Sequence, residues 1–535
     1  MIESLNYLAV KEQGGDKVDI YNKIEKSLLG LNSTDTKFAK ELQEVKKYYE
    51  FYEGRPEAIE DDTEDERGQL WKVKTDDYKP TREIRNITKK LMKKQKRFMT
   101  AVKPDFIIKS IDGADVERVD NKKAIINKIL NEGKFWNKFS KAFLDCTIGK
   151  RVMLCLITDI DDQGNVLSEK PIRFRFYTMP EFTYEYDPND CDKLIKVQIA
   201  YQDETTIGKL QTEQRWHKWI YEMRGNECWA TYQVVDGINT QAYIETVNEN
   251  GEKEKEEIKQ DWNTGLNQLP CKIIFNDGLT GDVRGHSDIK DLMDMAMDYN
   301  RTISDYRDAL KFKMFEQDVF VNADPNSIAD IKIAPGSIID LKGDQSLSMD
   351  GSIPTPTYGK LTSAFNFQTA ADSYLTGLKK DMYELMDQPL PESLVNVASG
   401  KALRMLNDDL IGRCEEKWQE WDDAFRWLID IIIETINKGN LYRDVENIED
   451  LNLNTSLEFY HNYPIPDDET ETKELAMKEV EANVRSHQSY IRDFGEAQEA
   501  DKEFEEILDE QDKLNMTLNS SSGLDDFNAG GEGNE

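Results

Sequence analysis

Three long amphipathic helix patterns constrain the fold of this chain more than any other sequence feature. The first runs over Ser287–Phe315 and the second over Leu361–Met386, and the short, turn-rich stretch between them is typical of strands. The third runs from Lys401 to about Asn437, after the loop Gln388–Gly400. Apolar residues recur at helical spacing in each pattern, so each helix has a face that must pack against other parts of the protein. The order predicts a helix, a small β insert, a helix, a loop and a longer helix.

The ends of these patterns carry residues that begin and end helices. Gly285 interrupts the structure before the first helix, and Ser287 or Asp288 can cap it by accepting a hydrogen bond from a backbone N–H group. Pro389 and Gly400 exclude a continuous helix across the loop. The third helix has the most regular apolar stripe, which indicates a core position and not a cofactor site. The stripe consists of Leu403, Leu406, Leu410, Cys414, Trp418, Trp421, Phe425, Leu428, Ile432 and Ile436.

Short strands are predicted in the middle of the chain, where β-type runs alternate with polar turns. The runs are Val152–Thr158, Ile172–Tyr177, Leu194–Tyr201, Arg215–Tyr221, Cys228–Val235 and Ala242–Val247. Two further strands, Val319–Val321 and Ile338–Leu341, fall between the first two long helices. Helices are predicted over the first ~50 residues and, as one helix or a pair, over Asn121–Ile148. The fold class is therefore α+β.

The composition is that of a globular protein with more than one domain. The chain has 535 residues, of which 38% are hydrophobic and 10% aromatic, enough for two or more cores. No window approaches the ~18 consecutive apolar residues that span a bilayer. The start, Met1–Val10, has no secretory signal pattern. Six cysteines lack C-x-x-C spacing, which favours reduced thiols in a cytosolic environment.

A formal net charge of -35 is the strongest compositional signal. Because proteins hold nucleic acid through its phosphates with a basic surface, the chain as a whole is excluded as a tight, non-specific DNA binder. Ordinary solvated acidic faces and faces that repel DNA are equally open explanations. A helix predicted over Arg82–Val102 carries the one concentrated basic patch, for which a solvated or partner-facing surface is favoured over DNA contact. The patch consists of Lys89, Lys90, Lys93, Lys94, Lys96 and Arg97.

No arrangement of residues indicates an enzyme, a metal site or a cofactor. The chain has neither a G-x-x-x-x-G-K-[ST] phosphate loop nor an H-E-x-x-H metal motif. Its four histidines are dispersed, and its many carboxylates single out no acid–base pair. The segment Asp159–Gly164 is similar to the start of a calcium loop, but Lys170 stands where a bidentate glutamate is needed, so a hairpin turn is favoured. We therefore predict a non-enzymatic protein without catalytic residues, bound metal or cofactor.

Several short segments follow one another in an informative order. They are Tyr48-Tyr49-Glu50 with Gly54, Arg85-Asn86-Ile87-Thr88-Lys89-Lys90, Gly285-His286-Ser287-Asp288-Ile289, Met386-Asp387-Gln388-Pro389, Ala398-Ser399-Gly400-Lys401-Ala402-Leu403 and Asn462-Tyr463-Pro464-Ile465-Pro466-Asp467. In this order and separation they resemble the portal proteins of tailed bacteriophages, specifically the group found in phages of Gram-positive hosts. The resemblance covers about residues 40–495.

The resemblance implies a portal-like α+β architecture with a wing, a long-helix stem, a small β-containing clip, a tunnel loop and an α-helical crown. In chain order the segments would be residues 1–40 of unknown role, 41–286 wing (helical, then β-rich), 287–317 stem helix, 318–360 clip, 361–387 second stem helix, 388–400 tunnel loop, 401–462 long wing helix and return, 463–518 crown, and 519–535 tail. The tail is rich in Gly, Ser and Asn, which predicts disorder.

The resemblance also implies a structural function in the virion. Copies of the chain would form a ring, a dodecamer in the family, at one capsid vertex after assembly in the host cytoplasm. The ring would nucleate head assembly with the major capsid and scaffolding proteins, dock the terminase large subunit and later hold head–tail adaptor proteins. Double-stranded DNA would pass through the channel during packaging and ejection without tight binding, and no membrane would be involved.

The candidate DNA-facing residues lie in the tunnel loop, a proline-bounded loop of polar and small residues between two long helices. They are Pro389, Leu390, Glu392, Ser393, Asn396 and Ser399. Lys379 and Lys380, near the end of the second helix, are candidates for a positive ring that would centre the duplex, although solvated lysines without a role are favoured. Two other classes stay open: a capsid-associated or scaffolding protein that forms no channel, and an ATPase or nuclease acting through a motif that the sequence does not reveal.

Overall fold

Helices and strands are mixed along the chain, as expected for the α+β class. The computed structural model describes residues 36–54, 81, 83–158, 170–203, 210, 213–236, 243–247, 253–257, 259–279, 281–314, 317–329, 341–348, 351–361, 367–395, 400–442, 445–465, 469–494, 502–511 and 513. The chain divides into two units. The first comprises Met1–Leu390 and Asp409–Tyr463, and the second comprises Pro391–Asp408 and Pro464–Glu535.

Most of the helices belong to the first unit. In chain order they are α1 (Thr36–Glu53), α2 (Ile87–Thr100), α3 (Val116–Glu132), α4 (Phe135–Gly149), α5 (Asp288–Met314), α6 (Pro325–Ala329), α7 (Gln368–Leu385), α8 (Gly400–Leu406), α9 (Asp408–Gly439), α10 (Glu469–Glu481) and α11 (His487–Phe494). Asn86 caps α2 because its Oδ1 accepts a hydrogen bond from the Lys89 N–H at 2.9 Å. The helix predicted from Arg82 therefore begins at Ile87.

The strands form small antiparallel sheets. They are β1 (Asp105–Ser110), β2 (Arg151–Thr158), β3 (Ile172–Thr178), β4 (Phe182–Asp187), β5 (Asp190–Gln202), β6 (Arg215–Arg224), β7 (Glu227–Asp236), β8 (Tyr243–Val247), β9 (Lys253–Glu257), β10 (Lys259–Asn263), β11 (Cys271–Phe275), β12 (Gln317–Val321), β13 (Thr357–Leu361) and β14 (Thr455–Tyr460). A five-stranded sheet has the order β10-β7-β6-β5-β4 and a three-stranded sheet the order β11-β2-β3. Three separate two-stranded sheets are formed by β1 with β14, β8 with β9, and β12 with β13.

An aromatic core joins α4, α9 and the three-stranded sheet. The ring centroids of Phe139 and Trp421 are 4.8 Å apart, and those of Phe135 and Phe425 are 5.6 Å apart, both edge to face. Phe174 of β3 lies edge-on to Phe135 at 5.3 Å. Such edge-to-face pairs add to the stabilisation from burial. The apolar stripe of the third helix is therefore core, as predicted, from Leu410 onward.

A second core joins α1, α2, α5 and α7. Ile289 is fully buried at the start of α5, whereas Leu310 and Met314 near its end are 37% and 74% exposed. In α7 the pattern is reversed, because Met382 near the end is buried and Tyr374 is 51% exposed. The two long helices thus pack into the core at one end and present apolar side chains to solvent at the other.

Two further predicted helix boundaries were wrong. The second long helix does not begin at Leu361, because the Leu361 backbone pairs with Gln317 and so closes the β12–β13 ladder. The helix starts at Gln368 instead. The third helix is interrupted at Asn407, whose Nδ2 donates to the Leu403 carbonyl at 2.8 Å. The Asn407 N–H also donates to this carbonyl, at 3.2 Å, so the side chain adds a second hydrogen bond where α8 ends. The first two stripe residues, Leu403 and Leu406, consequently lie in α8 and outside the aromatic core.

Most other predicted elements are present. The first long helix is α5, the β-type runs are β2, β3 and β5 to β8, and Val319–Val321 lies within β12. The pattern over Asn121–Ile148 is a pair, α3 and α4, separated where Lys134 has a φ of 51°. Strands β1, β4, β10, β11, β13 and β14 were not predicted. Strands β1 and β14 pair with each other although they are far apart in the chain, with Asp105 facing Tyr460, so no local signal joins them.

Some predictions concern residues that are not described. These are the helical pattern before Thr36, the turn Asp159–Gly164, the run Ile338–Asp340 and the tail Asn519–Glu535. Within the described part of the chain, no helix has both the length and the apolar character needed to cross a bilayer. The same residues contain no group of His, Cys, Asp and Glu side chains arranged to hold a metal ion.

Candidate functional site

Asp288, the first residue of α5, is a buried carboxylate where several segments meet. Its Oδ1 accepts hydrogen bonds from Asn276 Nδ2 at 2.8 Å and Lys417 Nζ at 3.0 Å, and its Oδ2 accepts one from Gln95 Nε2 at 3.0 Å. Arg413 Nη2 lies 3.4 Å from Oδ1. Burial alone would raise the pKa of this carboxyl, but the charges of Lys417 and Arg413 and the hydrogen bonds outweigh burial and lower the pKa to about 2.

The residues just before Asp288 are shaped by close packing. Gly285 has a φ of 73°, and a Cβ at this position would overlap the carbonyl oxygen of Lys150. Ser287 is fully buried; its Oγ donates to the Ile148 carbonyl at 2.7 Å and accepts from the Ile289 N–H at 3.3 Å. Ser287 is therefore the helix cap, while the Asp288 carboxylate points into the network described above. The segment Gly285–Ile289 thus has a structural explanation.

The loop Gln388–Gly400 begins from a fixed root after α7. Asp387 has a φ of 53°, and its Oδ2 accepts a hydrogen bond from Arg413 Nη1 at 2.9 Å. Gln388 is buried and its Nε2 donates to the Leu91 carbonyl at 2.9 Å. Because Arg413 contacts both Asp387 and Asp288, it links the root of the loop to the start of α5.

Pro389 and Leu390, the first two candidate DNA-facing residues, are half-buried at this root. The Pro389 carbonyl accepts a hydrogen bond from Lys94 Nζ of α2 at 3.2 Å. Leu390 packs against the second core. Both residues are thus held by contacts within the first unit.

The other candidate residues of the loop lie beyond this root. Glu392 and Ser393 are exposed on a 3-10 turn, Pro391–Leu394, which belongs to the second unit. Asn396 and Ser399 are not among the described residues. Exposed polar side chains on a short turn are accessible to a ligand, and the DNA-facing role of these residues stays a prediction.

Lys379 and Lys380 lie on α7. Lys379 is half-buried, whereas Lys380 is exposed and its Nζ lies 3.1 Å from Glu384 Oε1, one turn further along the helix. Such an exposed pair stabilises a helix by only about 0.3–0.5 kcal/mol. Its main consequence is electrostatic, because Glu384 offsets the positive charge that Lys380 would present to a duplex.

A buried ion pair fixes α1 to β2. Arg151 Nη1 and Nη2 donate to the two carboxylate oxygens of Glu41 at 2.7 and 2.9 Å, and Nη1 also donates to the Arg284 carbonyl at 2.8 Å. Burial alone would raise the pKa of Glu41, but the hydrogen bond and charge of Arg151 outweigh it and lower the pKa. The pair therefore holds the turn before α5 as well as α1.

His461, after β14, is held against α9 by two carboxylates. Its Nδ1 lies 2.7 Å from Glu415 Oε2 and its Nε2 3.1 Å from Asp422 Oδ1, while the ring stacks on Trp418 at 4.4 Å. Burial alone would lower the pKa of His461, but the hydrogen bonds to Asp422 and Glu415 outweigh it and raise the pKa. Tyr463 donates to the same Glu415 carboxylate at 2.7 Å.

The residues that organise this site were not among those predicted from the sequence. Lys417 offered a usable signal, because it stands in the apolar stripe of α9 beside Trp418, and a charged residue in such a stripe needs a buried partner. Gln95 offered the same signal on α2, between Met92 and Phe98. The position of Arg413 in the sequence offered no such signal.

Comparison with known families confirms the resemblance to phage portal proteins. Residues 32–516 of the 535 match the family described as "Phage portal protein, SPP1 Gp6-like". No curated protein matches the sequence. The family match includes α1 to α11, and therefore both the network around Asp288 and the described part of the loop after α7. Because it covers most of the chain, the protein belongs to the SPP1 Gp6-like family of phage portal proteins.

Proposed function

We propose that copies of this chain form a ring at one capsid vertex and that double-stranded DNA passes through the ring during packaging and ejection. Family membership implies a ring-shaped homo-oligomer that interacts with the capsid and the terminase. Phage portal proteins are structural, non-enzymatic channel proteins, which removes the ATPase and nuclease alternative. The proposal further includes a dodecameric ring, nucleation of head assembly, and later binding of head–tail adaptor proteins.

In this proposal the paired helices α5 and α7 form the stem, and the hairpin-like pair β12–β13 with the residues between them forms the clip. The loop Gln388–Gly400 is the tunnel loop and α9 the long wing helix. The helices α10 and α11 belong to the crown. These assignments follow the order of the elements along the chain, which is the order in which the family resemblance places them.

The observation that best supports a ring is a set of exposed apolar side chains near the end of α5 and the start of α7. Exposed apolar side chains continue from the helices into β12 and the residues before α7. They are Leu310 (37% exposed), Met314 (74%), Val321 (49%), Phe367 (44%) and Tyr374 (51%). Apolar groups grouped in this way usually mark an interface. Neighbouring copies in a ring would cover them.

The role of the tunnel loop is supported by the contrast between its root and its described continuation. Gln388 is buried and hydrogen-bonded to the Leu91 carbonyl, whereas Glu392 and Ser393 are exposed. In the proposed channel these exposed polar residues would be accessible to DNA. Asn396 and Ser399 complete the proposed DNA-facing set.

Electron microscopy of the purified full-length protein tests the ring. Ring-shaped particles with a central hole are expected, and particles of any other form would favour a capsid-associated or scaffolding protein without a channel. The tunnel loop is tested by deleting Leu390–Asn396, which should reduce packaging of DNA into nuclease-resistant heads while rings still form. A deletion of equal length within the tail, residues 520–526, lies outside the family match and serves as the control. Unchanged packaging by the loop deletion would contradict the assignment.

A further inference from the structure

One face of α2 carries a continuous row of cations, here named the α2 basic stripe. It consists of Lys89, Lys90, Lys93, Lys94 and Arg97. With Asn86 these side chains line a groove of about 480 Å³. The opposite face is fixed in the core, because Leu91, Met92 and Met99 are almost fully buried. The cations therefore project away from this core and line the groove.

The stripe is short of compensating negative charge. Lys89 lies 3.8 Å from Glu53, but within the described part of the chain no carboxylate lies within ion-pair distance of Lys90, Lys93, Lys94 or Arg97. Cations four residues apart on a helix repel each other, and the stripe contains three such pairs: Lys89 with Lys93, Lys90 with Lys94, and Lys93 with Arg97. In a chain with a net charge of -35 this is a local excess of positive charge that an anionic partner would stabilise.

The stripe lies beside the root of the tunnel loop. Lys94 Nζ donates to the Pro389 carbonyl at 3.2 Å, and Lys90 Nζ lies 5.8 Å from the ring centre of Tyr383 on α7. On the same helix, the Leu91 carbonyl accepts a hydrogen bond from Gln388 Nε2. Burial and the nearby charge of Lys90 lower the pKa of Lys94, as expected where cations crowd without carboxylates.

We propose that the α2 basic stripe contacts the phosphate backbone of double-stranded DNA where the duplex passes the tunnel loop. The proposal rests on the channel function proposed above. Lys89, Lys93 and Arg97 follow one another at about 6 Å along the helix axis, which suits an anion with regularly repeated charges. Contacts to phosphates carry no sequence information, as a channel for a whole genome requires. A few such contacts in an acidic ring centre the duplex without retaining it.

The test compares full-length rings with matched charge changes. Lys93→Gln/Arg97→Gln removes two charges from the stripe, and Lys128→Gln/Lys438→Gln removes two charges from exposed positions on α3 and α9. Lys93→Arg/Arg97→Lys keeps the stripe positive. Ring formation is followed by electron microscopy, and binding of a short linear DNA duplex is measured over a series of salt concentrations. In the first variant only, the slope of log affinity against log salt should become shallower by about 0.9 for each phosphate that the stripe no longer neutralises.

Each other outcome contradicts the proposal. If the first variant binds the duplex with the wild-type slope, or wild-type rings show no salt-dependent binding, the stripe does not contact phosphates. If the first variant alone fails to form rings, the stripe instead faces an acidic surface of a neighbouring copy. Packaging of DNA into nuclease-resistant heads by the wild-type ring is measured separately. Its absence would contradict the channel function, whereas normal packaging with unchanged slopes contradicts only the role of the stripe.

Discussion

Lys417, in the middle of α9, places its ammonium group 3.0 Å from the carboxylate of Asp288 at the first residue of α5. Both side chains are almost fully buried. The same carboxylate accepts hydrogen bonds from Gln95 of α2 and from Asn276. A single buried anion thus joins the proposed stem helix to the proposed wing helix, and Arg413 extends the connection to the root of the tunnel loop at Asp387.

We expect Lys417→Met to destabilise the protein strongly. The substitution leaves the Asp288 carboxylate buried with less compensating charge, and breaking a buried pair in this way costs about 3–5 kcal/mol. Urea unfolding of the full-length chain measures the effect. Lys438→Met, at an exposed position of the same helix, should change the free energy of unfolding by no more than about 0.5 kcal/mol. Equal effects of the two substitutions would show that the ion pair contributes little.

The same network predicts a loss of stability in acid. The pKa of Asp288 is lowered from 3.8 to about 2 in the folded protein, so its contribution is fully present above pH 3.8 and is lost as the pH falls through about 2. Asp288→Asn should therefore make the free energy of unfolding less dependent on pH in this range. Unfolding of both proteins is followed across the range, and parallel pH profiles would contradict the assigned pKa shift.

Gly285→Ala should be more harmful than Gly281→Ala. Both glycines have positive φ angles, 73° and 80°, so each substitution incurs the cost of that backbone conformation, about 1–2 kcal/mol. Only at Gly285 does the new Cβ also meet the Lys150 carbonyl, since open space surrounds Gly281. Overpacking adds about 1–3 kcal/mol. Thermal unfolding of the two variants measures the difference, and equal midpoints would show that the backbone before α5 moves freely.

His461 predicts a pH effect of the opposite sign. Its pKa is raised above 6.5 by Asp422 and Glu415, so the stabilisation is fully present below pH 6.5 and is lost as the pH rises through the higher folded value. His461→Gln should reduce stability most at the acidic end of this window and least at the alkaline end. His487→Gln, at an exposed position, is the control. A loss of stability that is the same at every pH would mean that the ring acts through packing on Trp418 alone.

Much of the secondary structure could be predicted because helical and strand periodicity is local. The first long pattern became α5, and the β-type runs became strands of the antiparallel sheets. Predictions were wrong where a distant partner or a single side chain decided the outcome. Leu361 became a strand residue because Gln317 pairs with it. The third helix breaks at Asn407, whose side chain and N–H both donate to the Leu403 carbonyl, although the apolar pattern continues past this residue.

The candidate site was only partly predictable, for a similar reason. The loop after α7 was recognisable from its prolines and small residues, and the basic face of α2 from its composition. What Pro389 contacts at the root, and which lysine of the basic face contacts it, could not be inferred. Lys94 and Lys438 look alike in sequence, yet one donates to the Pro389 carbonyl and the other is exposed.

By itself, the sequence determined the α+β class, the order of the long helices and the family, because these depend on local periodicity and on short segments in order. The tertiary structure alone decided that Asp288 is a buried anion shared by Lys417, Arg413, Gln95 and Asn276. A carboxylate is costly to bury unless cations and hydrogen-bond donors surround it. Here those groups come from distant parts of the chain, and only folding brings them within 3.4 Å of one side chain.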